Sequence, residues 1–321
     1  MSDPLPAVTV LIPTRPEQAD IPAATAARAF DYPADKLEIL IARGRQPSIQ
    51  RNAGLKAARG ELVYFLDDDS VAHPANLRRA VTHFRDPTVK VVGGPNVCPP
   101  DAPALEQVFA LVLASWLGFG PSRARYAPVG KLRVTGEKEL ILCNLVARRD
   151  AMLELGGFNE ALYPNEENAL MDELQQRGGK LVYDPELVVH RRPRSTLGAF
   201  CRMLKTYGRG RAEQFRETPT PGSALNFVPP LFLVYLIAAI PLWLWLGWPA
   251  FAPLGLYGLV VLLQVLALMP RGGVVRSCCA LPLIVLTHVL YGYGFWRGLF
   301  TRLDAAATRD ATPVTLERVP R

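Results

Sequence analysis

Apolar residues fall into short runs before Leu225 and long ones after it. In the first part, "AVTVLIP", "LEILIA", "ELVYFL" and "VKVVGG" are rich in β-branched and aromatic residues. Proline, charge or glycine closes each of them, so each predicts a buried strand. Between them, "ADIPAATAARAF", "PSIQRNAGLKAA" and "PANLRRAVTHF" predict helices. Ser48 is the expected N-terminal cap of the second, and Gly60 lies past its end. Strands separated by helices imply βαβ units, hence an α/β fold with a mostly parallel sheet covered on both faces. Ligands of such sheets bind beyond the carboxyl ends of the strands.

Further along, "ALEQVFALVLASWLGFG" is apolar but short for a membrane span and is interrupted by Glu106 and Gln107, which predicts a core or interfacial helix. "ELILCNLVARRDAMLELGGF" predicts a strand and a helix ended by Gly156-Gly157, and "KLVYDPELVVH" predicts more extended chain. "STLGAFCRMLKTYGRGRAEQF" is amphipathic at helical spacing, with Leu197, Phe200, Leu204 and Tyr207 on one face. Arg191, Arg192, Arg194, Arg211 and Arg216 accompany it. Residues 190–216 therefore suit either an anionic membrane surface or packing on the preceding domain.

Three apolar segments follow, near Leu225–Leu246, Ala250–Met269 and Ser277–Trp296. Each is close to the ~20 residues that a bilayer core requires. Only Arg271, Arg276 and Arg297 are charged between Leu225 and Phe300, and Trp243, Trp245, Trp248 and Trp296 lie near segment ends, as interfacial aromatics do. The expected organisation is a soluble domain over 1–216, a membrane domain over 225–300, and a basic tail over 301–321 carrying Arg302, Arg309, Arg318 and Arg321. "MSDPLPAVTV" lacks the basic and apolar regions of a signal peptide, which predicts a cytoplasmic first domain on a multi-pass protein of the inner (plasma) membrane. Arg271 and Arg276 then fall inside, as the positive-inside rule asks. Three crossings would carry the basic tail outside, against that rule; a re-entrant or interfacial segment is the alternative.

Charge narrows the partners. The chain has 36 Lys and Arg against 29 Asp and Glu, a formal net charge of +7. No zinc-finger pattern, stacking platform or low-complexity basic tail accompanies that charge, so nucleic acid is not an expected partner. The anionic cytoplasmic leaflet is. Cys98, Cys143, Cys201, Cys278 and Cys279 form no C-x-x-C pair and are odd in number, which speaks against a disulfide framework or a zinc site. Near-absence of charge in the apolar segments speaks against a transporter.

"GELVYFLDDDS" runs a strand straight into Asp67, Asp68 and Asp69. Adjacent carboxylates repel, so a positive partner is expected. Mg2+ and Mn2+ prefer carboxylate oxygens and share them with phosphates. At a strand end such an ion clamps a nucleotide diphosphate and neutralises charge building on the leaving phosphate. A solvated acidic turn is the plain alternative.

"VTVLIPT", "QRNAGLKAARGELVYFLDDDS" and "GGFNEALYPNEENALMDELQQRGGKLVYDP", in this order, resemble the family 2 inverting glycosyltransferases of the GT-A fold over about residues 7 to 216. The apolar segments, with "THVLYGYGFWRGLF", resemble membrane-anchored members that build exopolysaccharides, the succinoglycan-type glucosyltransferases among them. The resemblance implies that Asp69 binds Mg2+ or Mn2+, with Asp67 or Asp68 at the ribose or in the metal shell. It implies that Pro13, Thr14 and Arg15 lie near the base, and that Arg51 and Asn52 flank the nucleotide. "NEENAL" matches the family's E-D element, which puts Glu166 first and Glu167 at the catalytic base that deprotonates the acceptor hydroxyl. "YGRGR" falls where processive members carry Q-x-x-R-W, and Tyr207, Arg209 and Arg211 would meet the diphosphate or an acceptor phosphate. His190 is a candidate metal or phosphate ligand. Each residue also has an ordinary reading: acids favour helix starts, Asn52 suits a cap or turn, Arg51 a surface charge, and a lone histidine is more often structural.

Two departures matter. "ILIARGRQPS" has Arg43, Gly44 and Arg45 where relatives carry the aspartate that holds uracil, and the base position carries glutamate instead of aspartate. The missing Q-x-x-R-W motif points to addition of a single sugar. The expected function is transfer from a nucleotide-diphosphate sugar, UDP as the expected carrier, to a lipid-linked acceptor at the cytoplasmic membrane face. A polyprenyl-phosphate sugar synthase and a non-catalytic membrane scaffold are the alternatives.

Overall fold

The computed structural model describes residues 5–162, 165–219, 221–301 and 313–320. In chain order the elements are β1 (Val8–Thr14), α1 (Pro22–Arg28), β2 (Leu37–Arg43), α2 (Pro47–Ala57), β3 (Leu62–Leu66), β4 (Val71–Ala72), α3 (Asn76–Thr82), β5 (Val89–Gly93), β6 (Asn96–Val97), α4 (Ala104–Leu113) and α5 (Trp116–Phe119). They continue as β7 (Arg133–Thr135), β8 (Asn144–Arg148), α6 (Arg149–Glu154), α7 (Glu166–Gln176), β9 (Lys180–Tyr183), β10 (Val189–His190), α8 (Leu197–Glu217), α9 (Val228–Leu246), α10 (Ala252–Phe300) and β11 (Thr315–Val319). Two compact units result. The first comprises 1–99, 124–191 and 304–321, and the second 100–123 and 192–303.

The first unit is built on a sheet in the order β11-β2-β1-β3-β8-β5-β9-β7. The alternation of strands and helices holds for β1, β2 and β3, which pair in parallel. Beyond them β8 runs antiparallel to both β3 and β5, so the whole sheet is mixed. Every residue of β1 and β3 is buried, as expected for strands covered on both faces. Val8, Val10 and Ile12 enter one apolar cluster with α1 and α3, while Leu11 enters another with Leu55 of α2 and Met152 of α6. Side chains alternate across the sheet, so one strand feeds both cores. α2 begins at Pro47, whose missing N–H costs nothing there, and Ser48 is a buried residue of the first turn; no cap bond from Ser48 forms.

The segment 301–321 departs from the expected basic tail. Thr315–Val319 is an edge strand, antiparallel to β2 with Glu317 opposite Ile41. Arg318 donates to Glu38 at 2.8 Å, Arg43 pairs with Glu317 at 3.0 Å, and Leu316 packs on the second core. A strand hydrogen-bonded to β2 lies on the same side of any bilayer as β2. Arg302, Arg309 and Arg321 lie outside the described residues.

In the second unit, Ser223–Leu246 and Trp248–Phe300 are long and apolar enough to cross a membrane. Gly247, with φ of 64°, closes the first, and Gly273, with φ of 71°, breaks α10 in two. α4 and the turn beginning at Trp116 form a bent pair at 63°. Phe109 of α4 stacks on Phe200 of α8 at 4.3 Å. α8 packs closely along α10: a Cβ on Gly208 would stand 2.0 Å from the Tyr291 carbonyl oxygen, and one on Gly294 2.1 Å from that of Lys205. Packing within its own unit, not a bare membrane surface, therefore occupies much of this helix. Its arginines are partly engaged too: Arg192 donates twice to buried Glu106, and Arg216 donates to the Gly298 carbonyl.

Candidate active site

β1 and β3 are neighbours in register, Leu11 opposite Phe65, so their carboxyl ends bring Thr14 beside the acidic triplet. Thr14 Oγ1 donates to Asp68 Oδ2 at 2.8 Å, which turns Asp68 inward. Burial raises the Asp68 pKa, the Thr14 bond opposes this, and the charges of Asp69 and Asp67 raise it further. Pro13 is buried at the end of β1, and Arg15 is exposed just beyond it.

Asp67 opens, and Asp69 lies within, a turn closed by the Ser70 N–H, which donates to the Asp67 carbonyl at 3.0 Å. Both meet one cation. Arg191 Nε donates to Asp69 Oδ1 at 2.5 Å, and its Nη1 lies 3.1 Å from Asp67 Oδ2. Topology explains the meeting. β10 pairs antiparallel with β4, with His190 opposite Val71, so the next residue reaches back toward the triplet. Asn144 donates to the Leu187 carbonyl and Asn76 to that of Val188, which fixes the approach to β10. Among the basic residues that the sequence suggested for a membrane surface, Arg191 instead belongs to this site. No local pattern marks it; only the β4–β10 register does. His190 itself is exposed.

Arg51 of α2 is buried between two acids. Its Nη2 donates to Asp67 Oδ1 at 2.9 Å and its Nη1 to Glu166 Oε1 at 3.1 Å. It is not the surface charge of the ordinary reading. Asn52 points elsewhere: its amide donates to the Phe158 carbonyl at 2.9 Å and to Glu160 Oε1 at 2.8 Å, and its oxygen accepts from the Phe158 N–H. Those bonds clamp the loop before α7. Gly157 in that loop has φ of +83°, and a Cβ there would stand 2.5 Å from Asn52 Oδ1, so glycine is required twice over.

Glu166 and Glu167 open α7, where the helix dipole favours acids. Glu166 is 1% exposed and faces Arg51. Burial first, and then the Glu167 charge, push its pKa up to about 7, with Arg51 pulling the other way. Glu167 is half-buried and remains accessible. Tyr207, Arg209 and Arg211 belong to α8 in the second unit. There Arg209 pairs with Glu213 at 3.3 Å and Arg211 bonds Gln214 at 3.1 Å, while Gly208 of "YGRGR" serves the close approach to α10.

Among the described residues no three His, Cys, Asp or Glu side chains converge as a metal-ligand set. Yet Asp67 and Asp69 already converge on a single cationic group. Two carboxylates are what Mg2+ or Mn2+ takes from a protein when phosphates and water supply its other ligands. The chemistry of this carboxylate pair fits such an ion.

Two pre-mycofactocin glycosyltransferases of Mycobacterium tuberculosis, from strains CDC 1551 / Oshkosh and ATCC 25618 / H37Rv, are 30% identical over 145 residues, 45% of this chain and 30% of theirs. The match thus spans less than a third of those curated relatives' own length. Among solved structures, the mannosyltransferase PcManGT from Pyrobaculum calidifontis in complex with GDP-Man and Mn2+ is similar at a TM-score of 0.61 and 18% identity, covering 93% of this chain and 88% of that one. That likeness is one of fold, the GT-A fold. Residues 62–296 match the family described as glycosyl transferase family group 2, and the chain belongs to that family.

Proposed function

We propose that the protein is an inverting glycosyltransferase that moves a sugar from a nucleotide-diphosphate sugar to a lipid-linked acceptor at the cytoplasmic face of the inner membrane, in polysaccharide or glycolipid synthesis of the succinoglycan type. The observation that carries the reading is Arg51. It ties the acidic triplet to the start of α7 through bonds of 2.9 and 3.1 Å, so that the candidate leaving-group site and the candidate base adjoin.

In this reading Glu167 takes the proton of the acceptor hydroxyl while that oxygen attacks the anomeric carbon. The new C–O bond forms on the face opposite the diphosphate. The bond to the diphosphate breaks with its electron pair on the leaving oxygen, and the configuration inverts. Mg2+ or Mn2+, held by Asp67 and Asp69, would supply positive charge to the leaving diphosphate. Glu166 stays inward on Arg51 and keeps α7 in place. Thr14 holds Asp68, and Pro13, Thr14 and Arg15 border the nucleotide. His190, on the strand beside the triplet, is a further metal or phosphate contact. Tyr207, Arg209 and Arg211 are candidates for the acceptor phosphate.

An acceptor that never leaves the bilayer suits the long apolar helices. The chain leaves the first unit after β10 and returns to it as β11, which supports an even number of crossings, with the basic segment around β11 on the catalytic side. One apolar segment then stops short of crossing.

The test is a screen of UDP- and GDP-sugars with Mn2+, using detergent-solubilised full-length protein and polyprenyl phosphate or polyprenyl diphosphate-sugar acceptors. Release of the nucleoside diphosphate is expected, with Glu167→Gln and Asp69→Asn each losing at least ~100-fold. Full activity in both variants overturns the assignment. A lipid monophosphate sugar as sole product identifies a polyprenyl-phosphate sugar synthase. No binding of any nucleotide diphosphate supports a scaffold.

A further inference from the structure

The positive partner that the acidic triplet demands is already present, and it is part of the chain. Arg191 Nε and Nη1 engage Asp69 Oδ1 and Asp67 Oδ2 at 2.5 and 3.1 Å. These are the carboxylates that fit a divalent ion. Arg51 donates to the other oxygen of Asp67, Oδ1, at 2.9 Å. The Arg191 backbone is fixed, since its N–H donates to the Val97 carbonyl at 3.0 Å. Its side chain is 25% exposed. A guanidinium bridging both carboxylates and a metal ion ligated by the same oxygens repel each other at contact distance.

The geometry points to Arg191 as a resident counter-ion of the metal site, exchanged for the incoming divalent cation and freed to pair with the diphosphate that arrives with it. The exchange makes physical sense of both states. Without the cation, three adjacent carboxylates need neutralising. With it, a bidentate donor is released where two phosphates are bound. It also predicts order: the metal alone must displace Arg191 unaided, while metal with nucleotide offers the guanidinium a new partner. The inference rests on the donor-site reading above.

Mn2+ binding to the full-length protein, followed by the electron paramagnetic resonance signal of free Mn2+, tests it without turnover. Wild type should bind Mn2+ weakly alone and more tightly with GDP or UDP. Arg191→Gln should bind Mn2+ alone roughly tenfold more tightly, the size expected from removing one charge-assisted competitor. It should also lose most of the gain from nucleotide. Arg191→Lys, which keeps the charge and loses the bidentate fork, should fall between them, and a melting curve checks that each variant is folded. Unchanged or weaker Mn2+ affinity in folded Arg191→Gln overturns the proposal, as does tighter affinity with the nucleotide gain intact. Tighter Mn2+ binding with no sugar nucleotide turned over by wild type keeps the counter-ion and removes the transferase reading. Turnover by wild type with Mn2+ affinity unmoved by Arg191→Gln does the reverse.

Discussion

Arg51 Nη1 lies 3.1 Å from Glu166 Oε1 and joins two residues 115 positions apart in the chain. The side chains are 8% and 2% exposed, so neither charge has much water to fall back on. Removing one partner of a buried pair strands the other. Arg51→Met should destabilise the first unit by about 3 kcal/mol, at the low end for such pairs because Glu166 can take up a proton. Adding Glu166→Gln should restore part of the loss. Denaturant melts of the two single variants and the double variant measure the coupling, and strict additivity sinks the interaction.

The raised Glu166 pKa has a definite sign in stability. In the unfolded chain the group ionises in the ordinary carboxylate range, and in the folded protein at about 7. The folded state holds the proton more tightly. The associated stability is present below the unfolded value and is lost as pH rises through about 7. Glu166→Gln cannot ionise, so its melting temperature relative to wild type should climb between about pH 5 and about pH 8. A difference that stays flat over that window rules the shift out.

Asp184 works in the opposite direction. Burial raises its pKa, but His83, Arg79 and the Glu186 N–H overcome burial and hold it well below the usual carboxylate range. Its contribution is present above the unfolded value and disappears as pH falls through the folded one. Asp184→Asn should therefore cost stability at neutral pH and little in strong acid. Melting curves across the acid limb read this, and an equal loss at every pH contradicts it.

Gly208 should resist enlargement. A Cβ there stands 2.0 Å from the Tyr291 carbonyl oxygen, a backbone atom that cannot rotate away. Gly208→Ala should push α8 from α10 at a cost of about 1–3 kcal/mol, visible as a lower melting temperature in detergent. A variant as stable as wild type removes the packing explanation for Gly208.

The edge strand β11 makes a topological prediction. In a cysteine-free background, Glu17→Cys and Thr315→Cys, both exposed, should label with an impermeant maleimide from the same face of sealed vesicles. Labelling from opposite faces excludes the β2–β11 pairing in the membrane-bound protein.

Short-range pattern carried much of the fold. Apolar runs and turn residues marked β1, β2 and β3, the acids after β3, and the long apolar segments, because periodicity and chain stiffness act over a few residues. The resemblance to the family implied roles for Asp67, Asp69 and Glu167. Tertiary structure alone decided that β11 returns to the sheet, that Asn52 clamps a loop, that Arg51 bridges two acids, and that Arg191 lies on the triplet. Strand register and Coulomb attraction depend on distance in space. Segments hundreds of residues apart along the chain meet through pairings that no local window contains, so these partners became visible only once the sheet was assembled.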